Sequence, residues 1–137
     1  MQLVEPGDSL EIANLKIEVV PAYNIKKEFH PKNEGWNGYV IKNNNTIIYH
    51  AGDTDHIPEM KKLTGYGKKG NEFIALLPVG GKYTMNSEEA AQAVETLKPT
   101  LAIPMHYGSV IGALQDAEQF IKLCEDAGIK AQILPKE

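Results

Sequence analysis

The stretch TIIYHAGDTDH, residues 46–56, is the part of the chain that decides the fold. Its first residues are β-branched or aromatic and predict a strand, which pairs with residues 38–42 across an asparagine turn at 43–45. The strand runs directly into Gly52 and Asp53, so a short polar turn follows its carboxyl end. The pattern therefore places a candidate functional carboxylate at one edge of a β-sheet.

The segments on either side of this stretch predict a mixed α/β layered domain that occupies residues 1–137. Two short strands precede it, and strands alternate with helices after it. Asn86 and Glu89 form a capping-box pattern that starts one of these helices. The predicted elements are strands at 10–12, 15–20, 73–79, 101–104 and 129–134 and helices at 57–63, 87–98 and 113–127. The strand at 73–79 is a continuous apolar run, which predicts burial on both faces.

Composition limits the classes of protein to which the chain can belong. Of 137 residues, 42% are hydrophobic and 23% are charged, with a mean hydropathy of -0.31, as in soluble globular proteins. No apolar run reaches the roughly 20 residues of a membrane span, and no secretory signal is visible, so we expect a cytoplasmic protein without a membrane partner. The net charge of -4 argues against nucleic-acid binding. Cys124 is the only cysteine, which excludes an intrachain disulfide and predicts a packed apolar side chain.

Two turns each deliver a good metal ligand directly after a predicted strand. They contain Asp53, in the sequence Gly-Asp-Thr, and His106, in the sequence Met-His-Tyr-Gly. A carboxylate and an imidazole suit zinc, iron or manganese. Residue type and spacing alone also fit a turn-forming aspartate and a structural histidine, and these are the more frequent roles. The two interpretations stay open at this point.

Three motifs in a fixed order carry a resemblance to a known family. They are YHAGDTD at 49–55, LPVGGKYTM at 77–85 and IPMHYG at 103–108, with EEAA at 88–91 on the following helix. Together they resemble a metal-dependent hydrolase family of the metallo-β-lactamase superfamily, in the branch near the ascorbate-phosphate lactonases. The match extends over residues 17–108. It implies half of an αββα sandwich, the carboxyl-terminal half, with a mixed sheet and helices on one face.

The resemblance also implies roles for individual residues. Asp53 bridges or binds a metal, and His106 is the last ligand. The family's middle histidine is expected near residues 21–24, where the chain has Pro-Ala-Tyr-Asn; His30 is the nearest substitute, either close to the metal or exposed in a loop. The implied cofactor is a divalent transition metal, zinc in the first place and manganese or iron as alternatives, or no metal at all. Lys82 and Tyr107 are candidate substrate contacts, with a surface lysine and a packed tyrosine as the alternatives.

Three further residues near the first turn have open roles. His50 is expected to pack or to support the ligands from the strand itself. Asp55 and His56 either contact metal or substrate or cap the helix that follows, and capping is the preferred prediction.

The family's leading His-x-His-x-Asp-His motif is absent from the chain. The sequence therefore predicts one half of the sandwich, whose sheet would expose an apolar face. Truncation, a separate amino-terminal-half partner or a homodimer would each account for this. If the site is completed, the expected activity is hydrolysis of a small-molecule lactone or phosphoester by metal-activated water. The alternative is a non-catalytic half-domain that acts through assembly.

Overall fold

The structure, a computed structural model, describes residues 4–25, 36–68, 70–81, 84–107 and 114–134. Six strands form one mixed sheet in the order of the chain. The first four strands pair antiparallel, whereas β4, β5 and β6 run parallel to one another. The strands are β1 Ser9–Ile12, β2 Leu15–Pro21, β3 Asn37–Asn43, β4 Thr46–His50, β5 Glu72–Pro78 and β6 Leu101–Met105. The predicted mixed α/β class is confirmed.

The helices begin and end where local chemistry favours it. A 3₁₀ helix, Pro58–Gly67, has proline in its first turn, and α1, Ser87–Leu97, starts at the predicted capping box. There the Asn86 side chain accepts a hydrogen bond from the Glu89 amide at 2.9 Å, and the Glu89 carboxylate accepts one from the Asn86 amide at 3.1 Å. The second α-helix, α2, spans Leu114–Asp126. No helix in the described parts of the chain is long and apolar enough to cross a membrane.

The parallel half of the sheet determines where the two candidate turns meet. The 3₁₀ helix connects β4 to β5, and α1 connects β5 to β6, so the three strands end at the same edge. We call this end of the sheet the site edge. Ligands in such sheets gather where parallel strands end, and the turns that carry Asp53 and His106 both start here.

The two faces of the sheet differ in what covers them. One face packs against the helices and contains Val40, Tyr49 and Phe73, each at most 1% exposed. The opposite face, which we call the open face, carries the alternating residues of the same strands. Because cross-strand partners share a face, one row of aliphatic side chains crosses all six strands. This central row consists of Leu10, Ile17, Ile41, Ile48, Ile74 and Leu101.

Two predictions about strands need correction. The run from Phe73 is not buried on both faces: Phe73, Ala75 and Leu77 are buried against the helices, whereas Ile74 and Leu76 are half-buried on the open face. The last predicted strand, 129–134, contributes one bridge, between Ala131 and Ala102, within the described residues. Two backbone hydrogen bonds join this segment to β6: the Ala102 amide donates to the Lys130 carbonyl at 2.9 Å, and the Gln132 amide donates to the Ala102 carbonyl at 3.0 Å.

Candidate metal centre

The turn that holds Asp53 is built by a close approach of two backbone segments. Gly52 has a φ of +71°, which favours glycine, and a Cβ at this position would lie 2.8 Å from the Asn37 carbonyl oxygen. On the neighbouring strand, a Cβ at Gly38 would lie 2.8 Å from the Ala51 carbonyl oxygen. Only glycine at both positions allows β3 to pack this tightly against the turn, and Asp53 is thereby fixed at the site edge.

The two residues after Asp53 anchor the turn to the end of β2. The hydroxyl of Thr54, fully buried, accepts a hydrogen bond from the Tyr23 amide at 3.1 Å. The carboxylate of Asp55, 5% exposed, accepts one from the Ile25 amide at 2.9 Å. The predicted helix-capping role of Asp55 and His56 is wrong, because the N-cap residue is Ile57, and no side chain caps the helix.

Two further hydrogen bonds tie the site edge to the helical layer. The Tyr23 hydroxyl donates to the Glu59 carboxylate at 2.6 Å, and burial, together with this acceptor, raises the pKa of Tyr23 to about 12. On the other side, Nε2 of His56 lies 3.0 Å from the hydroxyl of Thr96 on α1. Burial lowers the pKa of His56. Both side chains hold the segments around Asp53 in place.

His106 follows β6 directly and has an unusual backbone conformation. Its φ is +59°, a left-handed geometry that costs energy for a residue with a Cβ and that concentrates at functional sites. Its Nδ1 lies 3.0 Å from Oδ1 of Asp53. The side chains are 42% and 46% exposed, so an ion or a substrate can reach both. The structure therefore brings together the two side chains that the sequence singled out as candidate ligands.

The pair opens into a pocket of about 270 Å³ on the side of the open face. His50 lines the same pocket, because alternation with the buried Tyr49 places it on that face, opposite Tyr39 of β3. Trp36, which is 46% exposed, also lines it, and sequence reasoning missed this residue. The register of β3 against β4 brings Trp36 there, and nothing in the sequence pattern revealed it. The lining residues are Ala22, Trp36, Asn37, His50, Gly52, Asp53 and His106.

Of the other residues singled out in the sequence, two lie outside the described ranges and two are packed in the structure. His30 and Lys82 lie outside the described residues. Tyr107 is half-buried and packs against the hydrophobic core, which agrees with the packed alternative. Cys124 is buried, also as expected.

The donor set fits a metal only in part. A catalytic zinc ion takes three protein ligands and a structural one takes four. Asp53 and His106 have the right chemistry and are accessible, but no group of three or more histidine, cysteine, aspartate or glutamate residues that could hold a metal occurs within the described ranges. The pair therefore offers two candidate donors, fewer than either kind of zinc site takes, and the described residues add no third one to the group.

Comparison with known proteins identifies the family of the chain. The family model described as "Beta-lactamase superfamily domain" matches residues 1–106. A metal-dependent hydrolase of Methanopyrus kandleri is 37% identical over 132 residues, which cover 93% of this chain and 56% of the relative. A metal-dependent hydrolase of Nanoarchaeum equitans is 36% identical over 137 residues, with 96% and 60% covered.

Solved structures give the same result for the fold. A candidate metal-dependent hydrolase from Parabacteroides distasonis superposes with a TM-score of 0.80 at 35% identity, covering 96% of this chain and 56% of that one. A metallo hydrolase from Ignicoccus hospitalis superposes with a TM-score of 0.77 at 30% identity, covering 98% and 57%. The chain thus spans little more than half the length of these relatives. It belongs to the β-lactamase superfamily domain family and has the metallo-β-lactamase fold over that part.

Proposed function

We propose that this chain supplies the Asp53–His106 end of a divalent metal centre that hydrolyses a small-molecule lactone or phosphoester. The observation that carries the proposal is the 3.0 Å approach of an accessible carboxylate and imidazole at the site edge. Zinc is the proposed metal, with manganese and iron as alternatives. Relatives named metal-dependent hydrolases support the class of reaction.

A metal bound at such a site would lower the pKa of a bound water and polarise a carbonyl or phosphoryl oxygen. The residues of this chain have other tasks. Asp53 and His106 hold their donor atoms at a fixed separation, and the buried Thr54 keeps the turn rigid. Trp36 would bound the substrate's side of the pocket, whereas Tyr107 packs against the hydrophobic core.

A second candidate function is a non-catalytic half-domain that acts through assembly. The observation in its favour is the shortage of donors within the described residues. The covering partner would be a complementary half-domain or another copy of the chain. In this case the site edge binds metal weakly, and the open face carries the function.

Metal titration of purified protein separates the two candidates. Equilibrium dialysis against zinc, manganese and iron(II) gives the affinity, and hydrolysis of lactones and phosphodiesters is followed in the same samples. We expect Asp53→Asn and His106→Gln to weaken metal binding at least about tenfold, and to reduce hydrolysis in parallel.

The matched controls change the same residue types away from the pocket. Asp126→Asn alters an exposed carboxylate on α2, and His56→Gln alters a histidine outside the pocket lining while its side-chain amide keeps a hydrogen-bonding group near the Thr96 hydroxyl. Both should keep the affinity of the unaltered chain. Metal binding that is indifferent to Asp53 and His106 would contradict the proposed centre, and metal binding without hydrolysis would favour the assembly role.

A further inference from the structure

We propose that a groove between the carboxyl ends of α1 and α2 binds a free α-amino acid with an aliphatic side chain. This groove, which we call the far groove, has a volume of about 620 Å³, and small-molecule sites usually have about 300–1,000 Å³. It is lined by Glu95, Lys98, Pro99, Ala127 and Ile129. These five residues are separate from those that line the pocket at Asp53 and His106, so the far groove is independent of the proposed metal centre.

The far groove lies at the end of the sheet opposite the site edge. α1 returns the chain from the end of β5 to the start of β6, and α2 returns it after β6, so both helices end on this side. β6, five residues long at about 3.3 Å per residue, separates the groove from the turn that holds His106. The lining residues belong to the helices and to the turns after them rather than to the open face.

The groove forms because both helices end abruptly. Lys98 has a left-handed φ of +53° at the end of α1, and Pro99 after it cannot continue the helix. Gly128 has a φ of +79° after the end of α2, and the Ile129 amide then donates to the Cys124 carbonyl at 2.9 Å. The chain therefore turns away from both helix axes at the same level and leaves a space between the two ends.

The far groove presents one negative and one positive side chain. Glu95 lies in the last turn of α1 and Lys98 ends this helix, and both side chains are exposed. Within the ranges that the structure describes, neither of them forms an ion pair. An α-amino acid carries the two complementary charges, because its ammonium group suits the Glu95 carboxylate and its carboxylate suits the Lys98 ammonium group.

The helix ends favour the ammonium group of the ligand beside Glu95. The carboxyl end of a helix carries a partial negative charge, which basic residues in the last turn usually offset. Within the described helices α1 and α2, neither last turn contains a basic residue, and Glu125 and Asp126 add negative charge to the end of α2. A bound ammonium group is therefore attracted by both helix ends as well as by Glu95.

The floor of the far groove is apolar and suits an aliphatic side chain. Pro99 is buried, and Ile129 is half-buried and packs against the hydrophobic core. Ala127 adds a methyl group at the rim. An aliphatic side chain that covers these residues removes apolar surface from water on both partners. The groove thus combines two charges with an apolar floor, the combination that an amino acid such as leucine matches.

Amide shifts in nuclear magnetic resonance spectra of the 137-residue chain, titrated with L-leucine, test the far groove. We expect saturable shifts at Lys98, Ala127 and Ile129 and none at Asp53. Three related compounds each lack one feature of leucine: leucinamide lacks the carboxylate, 4-methylpentanoate lacks the ammonium group, and glycine lacks the aliphatic side chain. Each should bind at least about tenfold more weakly than leucine, because each loses one of the three contacts.

Two variants remove the charges of the groove one at a time. Glu95→Gln and Lys98→Met, which keeps the aliphatic stem of lysine, should each weaken leucine binding at least about tenfold. Lys98→Met should bind leucinamide as the unaltered chain does, because this compound has no carboxylate, and a misfolded variant would lose both ligands. The matched controls, Glu88→Gln and Lys62→Met, alter exposed side chains outside the groove lining and should leave leucine binding unchanged.

Three results would overturn the proposed site. Shifts that do not saturate by about 10 mM leucine, ten times a millimolar Kd, would exclude a specific site in the groove. Equal binding of leucine and leucinamide would exclude recognition of the ligand carboxylate by Lys98. Saturable shifts caused by a lysine-rich peptide but not by leucine would overturn the amino acid as the occupant. Because the titration needs no metal, its failure would leave the proposed metal centre unaffected.

Discussion

The two faces of the sheet are made by alternating residues of the same strands, yet they have different environments. On the helix face, Phe73 is fully buried and Ile47 is 6% exposed. On the open face, Ile48 and Ile74 have equally apolar side chains and remain half-buried, and Ile12 is 58% exposed. The helix face therefore contributes fully buried apolar side chains, whereas the open face contributes less, with Val19 and Ile103 buried and its central row only half-buried.

The largest expected loss of stability comes from truncating a residue on the helix face, and a truncation on the open face serves as the comparison. Phe73→Ala removes a fully buried ring and should lower the free energy of unfolding by about 3–5 kcal/mol. Ile74→Ala, next to it on the open face, should cost about 1 kcal/mol in the monomer, because its side chain is already half in water. Urea unfolding measures both. Equal costs in a dilute monomer would show that the open face is covered within the chain.

Substitution of Gly52 compares the crowded turn with an uncrowded one. Gly52→Ala forces a Cβ into left-handed geometry and against the Asn37 carbonyl oxygen, and should cost about 2 kcal/mol or more. Gly70→Ala has a similar φ of +80° but no heavy atom within 4 Å of the added Cβ, so about 1 kcal/mol is expected. Thermal unfolding of the two variants shows which substitution costs more stability. If Gly70→Ala were the more damaging change, the close approach at Gly52 would not be a stability determinant.

Loss of the Tyr23 hydroxyl should lower the free energy of unfolding by less than the Gly52→Ala substitution does. Tyr23→Phe removes the 2.6 Å hydrogen bond to the Glu59 carboxylate, and we expect a loss of about 1.5 kcal/mol. In Glu59→Gln the tyrosine keeps an acceptor, so the loss should be less. Chemical denaturation of both variants and of the double variant gives the coupling between the two side chains. Additive losses would contradict a direct interaction.

At neutral pH the smallest expected effect comes from the Cys124 thiol, whose titration lowers stability only in alkaline solution. Burial raises the pKa of the Cys124 thiol from 9.0 to about 12. The unfolded chain thus releases this proton first, so the contribution of the Cys124 thiol to stability is fully present below pH 9.0 and is lost as the pH rises towards 12. Cys124→Ala should have a flatter stability profile in this range. The folded thiol should also react slowly with alkylating reagents, and rapid modification of native protein would contradict its burial.

Local chemistry allowed much of the fold to be predicted from the sequence. The asparagine turn between β3 and β4 and the capping box at Asn86 depend on a few adjacent residues, and both occur as predicted. The burial of the strand from Phe73 depends instead on what covers each face, and the apolar run alone does not reveal that Ile74 and Leu76 are only half-buried.

The residues of the candidate site could likewise be predicted only in part from the sequence. Asp53 and His106 could be named because each follows a strand directly, and parallel strands end together. Asp55 could not be interpreted correctly, since its hydrogen bond to the Ile25 amide joins residues 30 positions apart. The place of Trp36 in the pocket likewise depends on strand register, which a single sequence does not specify at this edge.

The most direct test of the metal centre is the response of the histidine ring nitrogens to zinc in nuclear magnetic resonance spectra. The chain has four histidines and a mass of 15.1 kDa, so each ring can be assigned by substitution. We predict that zinc shifts the ring nitrogens of His106, that Asp53→Asn abolishes the shift at the same zinc concentration, and that His56 does not respond. Zinc-induced shifts at His56 with His106 unchanged would contradict a metal centre at the site edge.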